Sequence, residues 1–189
     1  MAVCDSNFTF VIPMNLEEKI RSIIRTIPDF PKAGVMFKDI TPIFYDQSLC
    51  NEIVDGFVRK LKGTRIDAIV GIESRGFLFG LLLANKLNTP FVLVRKAGKL
   101  PYLTVSHEYF LEYGTAKIEM HTDSLKEGWN VLIHDDLLAT GGTADATAHL
   151  IKKMKAKVAG FSFIVELEFL EGRERIKSHS NNIQCLVNY

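Results

Sequence analysis

Apolar residues along the chain follow two rhythms, and the switch between them divides the molecule. Leu16, Ile20, Ile23, Ile24 and Ile27 recur at the spacing of one helical face, and Asn15 with Glu18 three residues later has the form of a capping box. A helix is therefore predicted over 15–27, ended by Pro28 and Pro31. Leu49, Ile53, Phe57 and Leu61 mark a second amphipathic helix over 48–62 that stops at Gly63. The stretch between them, with Pro28, Pro31, Gly34 and Pro42, reads as an ordered loop arm.

From Ile66 onward strands and helices alternate. Ile66–Ile72, Phe91–Val94, Val131–His134 and Val158–Val165 are continuous apolar runs rich in β-branched residues, and helical patterns cover Phe77–Leu87 and Thr143–Lys155. Strands this apolar are covered on both faces, so the pattern predicts an α/β chain whose central sheet is mostly parallel and flanked by helices. The segment 100–120, which contains PYLTVSHEYFLEYG, is too polar and irregular for a core strand and is predicted to be a loop or hairpin that moves.

A length of 189 residues fits one domain, and no internal repeat or linker divides it. With 24% charged residues and a net charge of +1, the chain lacks the broad positive field of a general nucleic-acid binder, so any basic site is local. Cys4, Cys50 and Cys185 are scattered and odd in number, which predicts neither a disulfide framework nor a zinc site and fits a reducing, cytoplasmic setting. The histidines at 107, 121, 134, 149 and 179 never pair at i, i+4, so a protein-held metal is not expected. The opening MAVCDSNFTFVIPM has no basic residue before its apolar patch, and no uncharged apolar run approaches the roughly 18 residues of a membrane span, so neither a secretory signal nor a membrane partner is expected.

Ligands of open parallel sheets bind where loops leave the carboxyl ends of strands, and three such loops here are polar. In VLIHDDLLATGGT an apolar strand runs into Asp135 and Asp136 and then into Thr140-Gly141-Gly142-Thr143 as a helix begins. Free N–H groups and the helix dipole at that point make an anion site, and glycine lets the backbone close around a phosphate. The loop is neither GxxxxGK nor GxGxxG. Carboxylates accept hydrogen bonds, which suits the vicinal hydroxyls of a ribose, so the whole stretch points to ribose 5-phosphate. The other two loops, Glu73-Ser74-Arg75-Gly76 and Arg95-Lys96-Ala97-Gly98-Lys99, are basic and suit a polyanion.

VLIHDDLLATGGT resembles the phosphoribosyl-diphosphate signature of the type I phosphoribosyltransferases, and PDFPKAGVMFKDITP, GIESRGFLFG, VRKAGKLP and LEYG are similar to motifs of the members that act on adenine. The resemblance covers about residues 15–175. It implies that family's fold over 1–189, with a small N-terminal hood, an N-terminal extension at 1–14, a base-binding arm at about 28–46 and a flexible lid at about 100–113. It also implies transfer of 5-phosphoribose from phosphoribosyl diphosphate to N9 of adenine, giving AMP and diphosphate in purine salvage, with Mg²⁺ carried by the substrate and no direct protein ligand to it. Ala139, Thr140, Gly141, Gly142 and Thr143 would then hold the 5′-phosphate, and Asp135 with Asp136 the ribose hydroxyls. Ser74, Arg75, Arg95 and Lys99 would meet the diphosphate, Arg95 from the neighbouring subunit of a homodimer. Phe37 would stack on adenine while the backbone at Met36 and Lys38 reads its edge, and Glu112 beside Tyr113 would be the acid/base group on the lid. Hypoxanthine or guanine is the alternative base. A non-catalytic sensor of the same substrate would need a DNA-binding module, for which one helix before Pro28 leaves no room.

Overall fold

The computed structural model describes residues 14–110 and 114–189. Helix α1 (Leu16–Ile23) opens with the expected capping box: the Asn15 side chain accepts from the Glu18 N–H, and the Glu18 carboxylate accepts from the Asn15 N–H. The helix stops four residues short of the predicted end, because Arg25–Ile27 is extended as strand β1 and pairs antiparallel with β2 (Phe37–Asp39). Pro28 drives only Ile27 out of the helical region; Arg25 and Thr26 are extended by their pairing with Asp39 and Lys38. The short ribbon ties down both ends of the proline-rich arm, which continues as a 3-10 turn at Thr41–Tyr45.

Asp46 caps α2 (Gln47–Lys60) by accepting from the Leu49 N–H at 2.9 Å. There follow β3 (Ala68–Ile72), α3 (Gly76–Leu87), β4 (Phe91–Lys96), β5 (Thr104–Phe110), β6 (Thr115–His121), β7 (Asn130–Leu138), α4 (Gly142–Lys153), β8 (Lys157–Glu166), α5 (Gly172–Ile176) and β9 (Ile183–Asn188). The main sheet has the order β5-β6-β4-β3-β7-β8-β9, parallel from β4 through β9, with β5 and β6 added antiparallel at one edge. The mostly parallel sheet is thus as expected, while α5 and β9 lie beyond the elements predicted from the sequence.

One predicted strand runs longer than expected, and the segment expected to be a loop or hairpin is paired as a hairpin. Strand β7 does not end at His134 but runs through both acids, with Asp135 opposite Phe163 and Leu137 opposite Val165. Pairing with β8 satisfies its backbone whatever the side chains are. Segment 100–120 contains a paired hairpin, Thr104 opposite His121 through Phe110 opposite Thr115, joined to β4 through Arg95 opposite Glu119. Its polarity is that of an edge with one solvated face.

Alternation along the central strands feeds two cores. Ala68, Val70, Ile72, Val131 and Ile133 face α4 and the hairpin, whereas Ile69 and Leu132 face α2 and α3. Burial on both sides fixes the register, so the carboxyl ends of β3, β4 and β7 form one rigid rim.

Candidate active site

The three polar loops of the sequence leave that rim. After β7 the chain turns through Ala139-Thr140-Gly141 into α4, and Gly141, at φ +74°, is the residue before the first helical turn. Such a φ favours glycine. The first helical hydrogen bond here runs from the Asp145 N–H to the Gly141 carbonyl at 2.9 Å, so the preceding N–H groups of the first turn have no helical partner among the described residues and can meet an anion. They face a polar pocket of about 90 Å³ lined by Asp135, Leu138, Thr140, Gly141, Gly142 and Thr143. The Thr143 and Tyr109 hydroxyls lie 3.1 Å apart, which joins the hairpin to the pocket rim.

The sequence reading missed what supports this loop. A Cβ on Gly172 would stand 2.0 Å from the Ala139 carbonyl oxygen and 2.9 Å from the Gly141 nitrogen, and a Cβ on Gly141 would stand 2.6 Å from the Gly172 carbonyl oxygen. Two backbones are therefore in direct contact, a requirement of tertiary approach that leaves no local signature. Next door, Arg173 donates to buried Glu166 through Nε at 2.9 Å and Nη2 at 2.5 Å, which anchors Gly172 to β8. Burial pushes the Glu166 carboxyl up, but Arg173 outweighs it and holds the group below its ordinary range. Arg175 also borders the loop, its Nη1 3.3 Å from where a Gly142 Cβ would be.

Because β7 continues through them, Asp135 and Asp136 leave the backbone on alternate sides. Asp135 lines the pocket, and its Oδ1 accepts from the Asp136 N–H at 2.9 Å. Asp136 is 5% exposed and pairs with Arg75, Nε to Oδ2 at 2.8 Å. The N–H is not aligned on that oxygen, so Asp136 Oδ2 is buried without a hydrogen bond among the described residues. Burial raises the Asp135 carboxyl well above its ordinary range, the Asp136 charge adds to the effect, and Arg75 opposes it. Asp136 is also raised by burial, against the pull of Arg75. An acceptor this poorly satisfied is set up for a hydroxyl donor.

Arg75 connects this wall to the arm, since its guanidinium carbon lies 5.5 Å from the centre of the Phe37 ring. Phe37 is steadied edge-on by Phe30 at 5.0 Å. Met36 beside it is 55% exposed, while the Lys38 side chain turns away to donate to the Thr26 hydroxyl at 2.9 Å and lies 3.9 Å from the Tyr189 ring centre. That leaves the backbone at 36–38 as the part able to address a planar base resting on Phe37.

The basic loops are held by Glu73, which the sequence reading left without a role. Glu73 Oε2 accepts from Arg95 Nε at 3.2 Å and from the Lys96 N–H at 3.0 Å, and Oε1 accepts from Lys99 Nζ at 2.7 Å. Burial pushes Glu73 up, but these donors prevail and its carboxyl sits below the ordinary range. Behind Lys99, Glu119 Oε1 accepts from the N–H groups of Gly98, Lys99 and Leu100, at 2.9, 3.1 and 3.1 Å. Ser74 lies between Glu73 and Arg75, its carbonyl taking the Phe77 N–H at 3.2 Å as α3 begins. The sequence reading placed Arg95 on a loop, but it lies near the end of strand β4; Ser74 and Arg75 on the turn after β3 and Lys99 on the turn after β4 adjoin it on one rim. Glu112 and Tyr113, and the extension before residue 14, lie outside the described residues.

Residues 44–187 match the model of the phosphoribosyl transferase domain. An adenine phosphoribosyltransferase of Cytophaga hutchinsonii is 51% identical over 92% of this chain and 96% of its own. The chain belongs to the adenine phosphoribosyltransferase family. Among solved structures, that of the enzyme from Thermoanaerobacter pseudethanolicus is 46% identical with a TM-score of 0.89, covering 93% of this chain and all of its own. The Saccharomyces cerevisiae family member, complexed with D-2,5-dideoxy-2,5-imino-altritol 1,6-bisphosphate and adenine, is 37% identical with a TM-score of 0.85, covering 90% of this chain and 98% of its own. The fold expected from the sequence is therefore that of the family.

Proposed function

We propose that the chain transfers 5-phosphoribose from phosphoribosyl diphosphate to N9 of adenine and releases AMP and diphosphate. The observation that carries this is the position of Arg75, whose guanidinium touches Asp136 at 2.8 Å and approaches the Phe37 ring at 5.5 Å. One side chain thus spans from the acid proposed for the ribose to the ring proposed for the base, with the phosphate pocket beyond Asp135. Residues 139–143 are assigned to the 5′-phosphate, Asp135 and Asp136 to the ribose hydroxyls, and Ser74, Arg75, Arg95 and Lys99 to the diphosphate.

Cleavage of the bond from C1′ to diphosphate leaves positive charge on the ribose and adds negative charge to the leaving group. Cations already fixed by Glu73 stabilise that charge more in the transition state than in the ground state, because their orientation is set before reaction. Mg²⁺ bound by the substrate would neutralise diphosphate oxygens, and a hard, hydrated cation suits the carboxylate of Asp135, which lines the pocket and could accept from its water shell. Adenine must lose a proton from N9, and Glu112 on the lid is assigned to accept it.

A homodimer fits an apolar face on α3 and β4. Leu78, Leu81, Leu82 and Leu93 are 38–55% exposed around a groove of about 500 Å³ that Phe44 and Phe77 also line. Leu93 and Arg95 are two residues apart on β4 and so share a side, which puts the diphosphate cation next to the proposed interface. A cytoplasmic setting agrees with Cys50 and Cys185 being free, buried thiols.

The test is incubation of purified chain with adenine, phosphoribosyl diphosphate and Mg²⁺, with hypoxanthine and guanine as competitors. AMP as the main product supports the proposal. Preference for another base would overturn the adenine assignment, and no nucleotide from any base would overturn the reaction. Sedimentation of a Leu81→Glu variant as a monomer, where the parent is a dimer, would support the interface; an unchanged dimer would remove it.

A further inference from the structure

Sequence spacing gave no reason to expect a metal, yet the fold gathers histidines that lie far apart in the chain. Asp145 and His149 sit one turn apart on α4, and His179 follows α5. One carboxylate oxygen of Asp145 and one nitrogen from each of the two imidazoles lie within 4.8 Å of one another. We propose that these three side chains bind a divalent first-row transition ion of the zinc class, at a site separate from the reaction centre.

The geometry is directional. Asp145 Oδ1 lies 2.7 Å from His179 Nε2 and 3.8 Å from His149 Nε2, while Oδ2 is 3.5 Å from Arg175 Nε. Arg175 thus holds one carboxylate oxygen and leaves the other aimed at both rings, as partners behind a metal ligand commonly do. The His179 side chain is 4% exposed, and its Nε2 hydrogen-bonds Asp145 Oδ1, a contact between two ligand atoms that an ion would replace. His149, 47% exposed, gives an ion a route from solvent. Its ring is kept in place by His107, stacked at 4.9 Å and 21°, and by His179, edge-on at 5.0 Å.

Two imidazoles and one carboxylate suit zinc, cobalt or nickel better than magnesium or calcium, which prefer all-oxygen sites. Bound there, an ion needs only small movements to bring the ligands to about 2.0–2.2 Å, with water completing the shell. It would join the first turns of α4, just past the phosphate loop, to the segment after α5, whose first residue Gly172 backs that loop. The site is therefore a brace for the loop, and it uses no residue assigned to the transfer reaction.

The experiment is competition of full-length, chelator-stripped chain with a chromophoric chelator for Zn²⁺, repeated with Co²⁺ and read in the visible. One equivalent retained by the parent, weakened at least about tenfold in His149→Ala and in His179→Ala, supports the site. Co²⁺ should then show d–d bands without thiolate charge transfer, and Zn²⁺ should raise the parent's Tm but not that of His149→Ala. Binding no tighter in the parent than in His149→Ala, or a Co²⁺ spectrum dominated by thiolate charge transfer, would overturn it. His149 is half exposed, so that variant gives an answer even where His179→Ala fails to fold.

Discussion

Gly172→Ala isolates the support of the phosphate loop from the loop itself. The added Cβ would lie 2.0 Å from the Ala139 carbonyl oxygen, and since such contacts are essentially never under 3.0 Å, the two backbones must part by about 1 Å. Both are stiff, because Gly172 is anchored through the Arg173–Glu166 pair and Ala139 continues a strand paired to β8. Overpacking of this kind costs about 1–3 kcal/mol, or roughly 2–12 °C in Tm for a chain of this size. The functional effect is larger, since displacing a binding group by about 1 Å typically costs about 10²-fold in rate. Initial-rate kinetics should show kcat/KM for phosphoribosyl diphosphate falling by about that factor, while adenine saturation at high co-substrate changes little. Gly128→Ala is the control. Gly128 has φ +81° with open space around it at the amino end of β7, so alanine there costs about 1–2 kcal/mol of stability and leaves kcat/KM alone. A Gly172→Ala protein with the parent's kcat/KM would refute the claim that this contact positions the phosphate site.

Arg75→Gln should raise KM for phosphoribosyl diphosphate by about tenfold, the lower end for a charged hydrogen bond because Arg75 is 36% exposed; an unchanged KM would detach Arg75 from the substrate. Burial raises the Asp135 carboxyl, so its folded-state stability is fully present below the ordinary carboxylate range of about pH 4 and is lost as pH rises through the raised value. Asp135→Asn should therefore have a higher denaturant midpoint than the parent at pH 8, a gap that closes below about pH 4, while its KM for phosphoribosyl diphosphate worsens; equal midpoints at pH 8 would contradict the burial argument. Glu112→Gln should lower turnover by about 10²-fold with phosphoribosyl diphosphate affinity retained in calorimetry, and an unaltered rate would take Glu112 out of the chemistry.

The parts of the site legible in the sequence were those whose requirement is local. Gly141 and Gly142 between an apolar strand and a helix announce an anion loop because the backbone conformation is set there, and the structure indeed gives Gly141 a positive φ. Helical periodicity overran at Ile24 and Ile27 because both positions keep the phase of α1, whereas Ile27 spends its backbone on Phe37, ten residues away and invisible to a local pattern. The acids looked terminal because their side chains are polar, but strand pairing depends on the backbone, and β7 continues beneath them to Leu138. Gly172, Glu73 and the grouping of His107, His149 and His179 were not legible for one common reason. Each owes its role to a neighbour distant in the chain, Ala139 for the glycine, Arg95 and Lys99 for the acid, and the His149 ring for both His107 and His179.

The phosphate loop is tested most directly by a crystal structure of the chain soaked with AMP. Phosphate oxygens are expected within about 2.7–3.2 Å of the N–H groups between Ala139 and Thr143, ribose hydroxyls on Asp135 and Asp136, and the purine against Phe37. AMP bound elsewhere, with that loop closed on itself, would contradict this assignment.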